Sequence, residues 1–142
     1  MVYDFNKIHW LYVVGSAVAV ILLSFLAITV ITFGYAFILA IEVRGRPDQV
    51  AISHFASAIS RWLMPLLEMF FAFFVAMFVS KKIDKNISLH GLFIGLLAGL
   101  LSVVLNLSFG GRFQYSTIFF FLLIIGLGYS GGYTGQRYIS KT

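Results

Sequence analysis

Apolar residues run through positions 8–41 without a single Lys, Arg, Asp or Glu. A bilayer crossing takes about 20 apolar residues, so two crossings and a turn take more than about 40. The run is too long for one span and too short for two. Gly15 and Gly34 stand alone in it and it holds no proline, so nothing in it marks a turn. The pattern predicts one helix over about 10–43. At ~1.5 Å per residue it outruns the ~30 Å hydrocarbon core, and it tilts or projects.

Arg44-Gly45-Arg46-Pro47-Asp48 is the sharpest break in the chain. Glycine suits a helix C-terminus, and proline then aspartate suits the next N-terminus. In 48–60, Ile52, Phe55 and Ile59 recur at helical spacing and Leu63 continues them, with Gln49, Ser53, Ser57 and Ser60 on another face. This segment either lies in the membrane interface or extends the second span. The second span is placed at 61–80, with Pro65 bending it or standing near a fresh start. Spans at 88–107 and 114–133 follow. The expected fold is all-α: a single polytopic membrane domain over 1–142, with four transmembrane helices and a long first helical hairpin.

Composition sharpens this picture. Hydrophobic residues make up 61% of the 142 positions and charged residues 11%, which excludes an ordinary soluble domain and disorder alike. The longest polar interval, 44–60, is too short for a separate soluble domain. Cysteine is absent, which removes disulfides and thiolate chemistry. The net charge of +5 sits at the ends of apolar runs, where cations face anionic headgroups. A lipid bilayer is the expected partner and nucleic acid is not. Lys7, Lys81, Lys82, Lys85, Arg137 and Lys141 fall on one side of a four-span topology, and Arg44, Arg46, Arg61 and Arg112 on the other. The excess predicts that both termini are cytoplasmic. The first run exceeds the ~7–15 residues of a signal-peptide core and is expected to stay as an anchor.

Two patterns stand out inside the spans. Gly91, Gly95 and Gly99 form GxxxGxxxG, and Gly128 and Gly132 repeat the spacing in the fourth span. Such glycines let helix backbones approach closely, either within the monomer or against another subunit. Glu68 is the ionisable residue furthest inside a span, near mid-bilayer, where a charge is costly. Judged by depth, Asn106, Ser102 and Tyr35 are its candidate partners in a buried polar cluster. Such a cluster binds a proton or cation, fixes helix register, or meets a partner subunit.

His9 and His90 open the first and third spans on the same side, a pair that offers axial ligands to haem b. No other cofactor and no metal site is expected. HExxH, GxSxG, a phosphate-binding loop and paired intramembrane carboxylates are all lacking, so the chain is expected not to be an enzyme.

His90-Gly91-Leu92-x-x-Gly95-Leu96, with Gly131-Gly132-x-x-Gly135 near the end, resembles small bacterial four-span membrane families over about the last 50 residues. The resemblance implies a bacterial inner-membrane location and no particular activity. Glu68 in the second span departs from small multidrug exporters, whose membrane acid lies in the first. The expected role is an accessory or structural subunit of a larger membrane complex or homo-oligomer. The alternative is a small oligomeric transporter or channel with Glu68 as its proton- or cation-coupling site.

Overall fold

The computed structural model describes residues 8–43, 48–83, 86–108 and 113–139. They form four α-helices: α1 Trp10–Val43, α2 Gln49–Ser80, α3 Ile87–Ser108 and α4 Tyr115–Ile139. All four are long and apolar enough to cross a membrane. The chain is an all-helical protein of the multi-pass membrane type.

The α1 helix follows the charge-free run, as expected. It buries Val13, Ala17, Val20, Ile21, Ser24 and Ile28, the 3–4 spacing of one helical face. Its opposite face, with Leu11, Val14, Val18, Leu22 and Leu26, is exposed, as a lipid-facing surface must be. The segment 48–60 is not a separate element: α2 runs unbroken from Gln49 to Ser80 through Pro65. Asp48 caps it, its carboxylate accepting the Val50 N–H at 2.8 Å. Proline lacks an N–H, so the Arg61 carbonyl receives no bond from position 65.

The reversal between α2 and α3 uses Asn86, which has φ 54°, a left-handed conformation that asparagine tolerates. The Asn86 carbonyl accepts the His90 N–H at 3.1 Å.

The α4 helix continues to Ile139, past the expected end at 133, and Gly131, Gly132 and Gly135 lie inside it. Glycine costs a helix up to about 1 kcal/mol per residue relative to alanine. Here the glycines occupy places where no side chain fits. A Cβ on Gly128 would stand 2.5 Å from the Gly91 carbonyl oxygen, and one on Gly95 would stand 2.6 Å from that of Ile124. Gly91 faces the Gly128 oxygen and Gly132 faces Ile87. A second pair, Gly131 and Gly135, meets α2 at Phe73 and at Met77 and Ser80. Two glycine faces therefore seat α4 on α3 and α2 at once. Gly99 packs differently, against the ring of Phe121.

The packing order follows: α1 lies on α2 and α3, α4 lies on α3 and α2, and α1 does not meet α4. The core of Val13, Ala17, Val20, Met69, Ala72, Ala76, Ile94, Ala98 and Ile124 fills the half of the bundle nearest the start of α1. Serine and threonine hydroxyls in the helices mostly bond back to their own backbone. Ser24 donates to the Val20 carbonyl at 2.9 Å, Ser80 to Ala76 at 2.6 Å and Ser130 to Gly126 at 2.8 Å. This satisfies a polar group without water.

Candidate functional site

The other half of the bundle is not filled. A cavity of about 650 Å³ lies there, and all four helices contribute to its wall. Ser57, Arg61, Met64 and Glu68 come from α2 at spacings of four, three and four, which is one face of a helix. Gly99, Ser102 and Asn106 come from α3, and Gln114, Thr117, Phe121 and Ile124 from α4 and the residue before it, at matching spacings. Phe25 and Ile28 of α1 close the wall.

The cavity is graded. At its inner end Glu68 is 2% exposed, and Ile124 and Phe121 line the same cavity. At its outer end Ser57, Arg61, Asn106, Gln114 and Ser116 are all exposed. Ser102 stands between, within hydrogen-bonding reach of the Glu68 carboxyl. Unlike the hydroxyls of Ser24, Ser80 and Ser130, it is not bonded to the carbonyl one turn back. Among the described residues the side chains of Arg61 and Asn106 have no hydrogen-bond or ion-pair partner.

Glu68, Ser102 and Asn106 thus share one site, whereas Tyr35 does not join it. Its ring stacks on Phe55, with centroids 3.8 Å apart and planes at 16°. Because α2 begins at Gln49, the antiparallel register sets Phe55 opposite Tyr35, and Glu68 lies 13 residues further on, roughly 20 Å along the axis. The register brings Phe25 to the cavity instead. Arg61 also belongs to the wall, as its helical spacing from Glu68 implies, and so do Gln114 and Thr117, which the apolar pattern does not single out. The signal that could have found the last two is their spacing along α4.

His9 and His90 do come together. His90 is 1% exposed, and its Nε2 accepts the His9 backbone N–H at 3.0 Å. Its Nδ1 lies 2.9 Å from the Asn86 carbonyl. Accepting at Nε2 leaves Nδ1 to donate, so one ring nitrogen docks the residue before α1 onto α3 and the other bonds the Asn86 carbonyl at the start of α3 itself. The two rings lie 6.1 Å apart and 30° from parallel. Ligating an iron through the His90 Nε2 requires breaking the bond to His9. The five glycines Gly91, Gly95, Gly99, Gly128 and Gly132 all lie at the α3–α4 contact or the cavity wall inside this one chain.

No family model matches the chain, and no curated protein or solved structure matches it. The site's own chemistry therefore carries the functional argument. Glu68, the one acidic side chain among the described residues of the cavity wall, stands at its closed end, with hydroxyls and amides along the way in.

Proposed function

We propose that this chain is a small membrane transporter or channel whose cavity accepts a positively charged group, or a proton, at Glu68. The observation that carries the reading is the burial of Glu68 at the head of a polar cavity wide enough for more than an ion. An ionisable side chain in a span is expensive, and it is retained where it pairs or works. Glu68 has a hydroxyl within reach but no cationic side chain paired with it among the described residues, so a ligand is the natural source of the missing charge. The exposed polar residues at the outer end supply the entry. On this reading the outer end faces away from the cytoplasm, because the cation distribution favours cytoplasmic termini in a bacterial inner membrane. The test is flux into liposomes. Glu68→Gln keeps the shape and hydrogen-bonding capacity but not the charge, so it should abolish ligand-coupled flux while leaving the protein folded. Unchanged flux overturns the reading.

A second reading, a non-enzymatic accessory subunit, is favoured by the length of the first two helices. At 34 and 32 residues they exceed the bilayer core, and Tyr35 stacked on Phe55 ties their outer ends together. We infer that these ends form a long hairpin projecting beyond α3 and α4. Phe33 and Phe37 on it are 73% and 60% exposed. If the hairpin does not tilt, another membrane subunit or a second copy covers this apolar surface. Gentle-detergent purification separates the readings. A stoichiometric second protein supports the subunit, and a pure protein with Glu68-dependent flux supports the transporter.

A further inference from the structure

Arg61 and Glu68 line the same cavity from the same helix. Seven residues separate them, two turns and about 10 Å of rise on one face. Neither is paired with the other or with another charged side chain among the described residues. An acid and a base that share a wall without meeting define a site with two poles.

Each pole has surroundings of matching chemistry. Ser102 reaches Glu68, and one turn inward on α3 Gly99 packs on Phe121, so the register sets the Phe120, Phe121 and Ile124 stretch of the wall at the Glu68 level, and aromatic faces favour a cation beside a carboxylate. Asn106, one turn outward from Ser102, and Ser60, Gln114 and Ser116 belong to the outer wall with Arg61, and they donate hydrogen bonds to an oxyanion beside a guanidinium. A simple cation meets Arg61 on its way in, and a simple anion meets Glu68 at the bottom. The volume of about 650 Å³ falls within the range of small-molecule sites, roughly 300–1,000 Å³, and far exceeds what a proton or a bare ion fills.

We infer that the ligand is a zwitterion, an ammonium group joined by a short link to a phosphate or carboxylate. Its ammonium seats on Glu68 and its anionic group on Arg61. This rests on the reading of Glu68 as a cation-accepting site and adds the second charge. A free amino-phosphate or amino acid and the headgroup of an aminophospholipid share this chemistry, and the open outer end admits either.

The test uses the purified full chain and three probes in calorimetry: phosphoethanolamine, ethylammonium and ethyl phosphate. Phosphoethanolamine should bind at least about tenfold more tightly than either half, the worth of one added charge-assisted hydrogen bond. Arg61→Gln should bring phosphoethanolamine down to the level of ethylammonium and leave ethylammonium unchanged. Arg61→Lys, which keeps the charge, should retain most of the gain. Glu68→Gln should weaken both amines. Native mass spectrometry from vesicles of mixed phosphatidylethanolamine and phosphatidylglycerol identifies the source. Retained phosphatidylethanolamine, lost in both charge-removing variants, assigns a lipid, and binding of free phosphoethanolamine without lipid retention assigns a soluble ligand. Ethylammonium binding as tightly as phosphoethanolamine, with Arg61→Gln silent, overturns the zwitterion and leaves the cation site standing. Glu68→Gln without effect on any probe overturns both.

Discussion

Two glycines on α4, two residues apart, make opposite predictions. A methyl group added to Gly126 would have nothing within 4 Å, whereas one added to Gly128 would lie 2.5 Å from the Gly91 oxygen, 2.9 Å from the Gly95 Cα and 3.0 Å from the Gly95 nitrogen. All three obstacles are backbone atoms of α3 and cannot rotate away. Ordinary contact begins at 3.4 Å, so Gly128→Ala must push α4 from α3 by about 0.9 Å, a shift that a close-packed interior resists. Overpacking of this kind costs about 1–3 kcal/mol. Both substitutions gain the same helix propensity, up to about 1 kcal/mol, so Gly126→Ala isolates that gain. The difference between the two variants is therefore the interface cost, about 1–3 kcal/mol, or roughly a factor of 5–150 in the unfolding constant. Reversible unfolding by SDS in mixed micelles, followed by circular dichroism, measures it. Equal midpoints for the two variants would refute close backbone contact between α3 and α4.

Phe55→Ala removes the stack on Tyr35 and should cost about 0.5–1.5 kcal/mol beyond lost burial, while ligand binding at Glu68, some 20 Å away, stays unchanged. An effect on binding equal to that of Glu68→Gln would show that Tyr35 belongs to the site after all. His90→Leu leaves the His9 N–H unpartnered and should destabilise the protein by about 1–3 kcal/mol, read in the same SDS titration; wild-type stability would show that the His90 bonds do not hold α1. Adding haem b to the purified protein should give no bis-histidine Soret spectrum, since the His90 Nε2 is taken, and a six-coordinate spectrum would contradict the bond geometry. The chain lacks cysteine, so Lys82→Cys and Gln114→Cys report topology without background. An impermeant maleimide added outside intact cells should label the second and spare the first, and the reverse pattern would invert the assigned orientation.

What the sequence shows and what it hides follow from the range of the interactions involved. Helix count and most boundaries depend on local hydropathy, and α1 and α3 fall within a residue of the expected ends. The end of α4 does not, because Gly131, Gly132 and Gly135 read locally as a stop. In the structure all three are helical and lie against Phe73, Ile87 and Ser80. Tyr35 misleads for a similar reason. Depth alone cannot say which residue of an antiparallel neighbour stands opposite, and the continuity of α2 through 48–60 decides that register. The polar cluster is partly legible, since Glu68, Ser102 and Asn106 are rare in apolar spans. Arg61 is legible too, since its spacing of seven from Glu68 sets both on one face of the second span, but the cavity that they share is not.

The same stripes that close one half of the bundle open the other. Along α3 the face runs Gly91, Gly95, Gly99, Ser102 and Asn106, and along α4 it runs back through Gly132, Gly128, Ile124, Phe121 and Thr117 to Gln114. Where glycine meets glycine the backbones touch. At Gly99 the partner is already the Phe121 ring, so an aromatic thickness stands between the two backbones. From there outward every facing position carries a side chain, and these positions line the cavity. The backbone contact of α3 and α4 thus lies at one end of a gradient in residue size and the cavity at the other. Glu68 sits where the cavity begins, between the small core residues Ala72 and Ala76 on one side and Arg61 on the other. If the proposed zwitterion is ordered by the charges along the α2 face together with their surroundings, exchanging the two charges, in Arg61→Glu with Glu68→Arg, should not restore binding. The ammonium would then lie at the polar outer end and the phosphate against Phe120 and Phe121. If the exchanged protein bound phosphoethanolamine as tightly as the original, the aromatic and amide surroundings would be shown to contribute nothing to the order of the two poles.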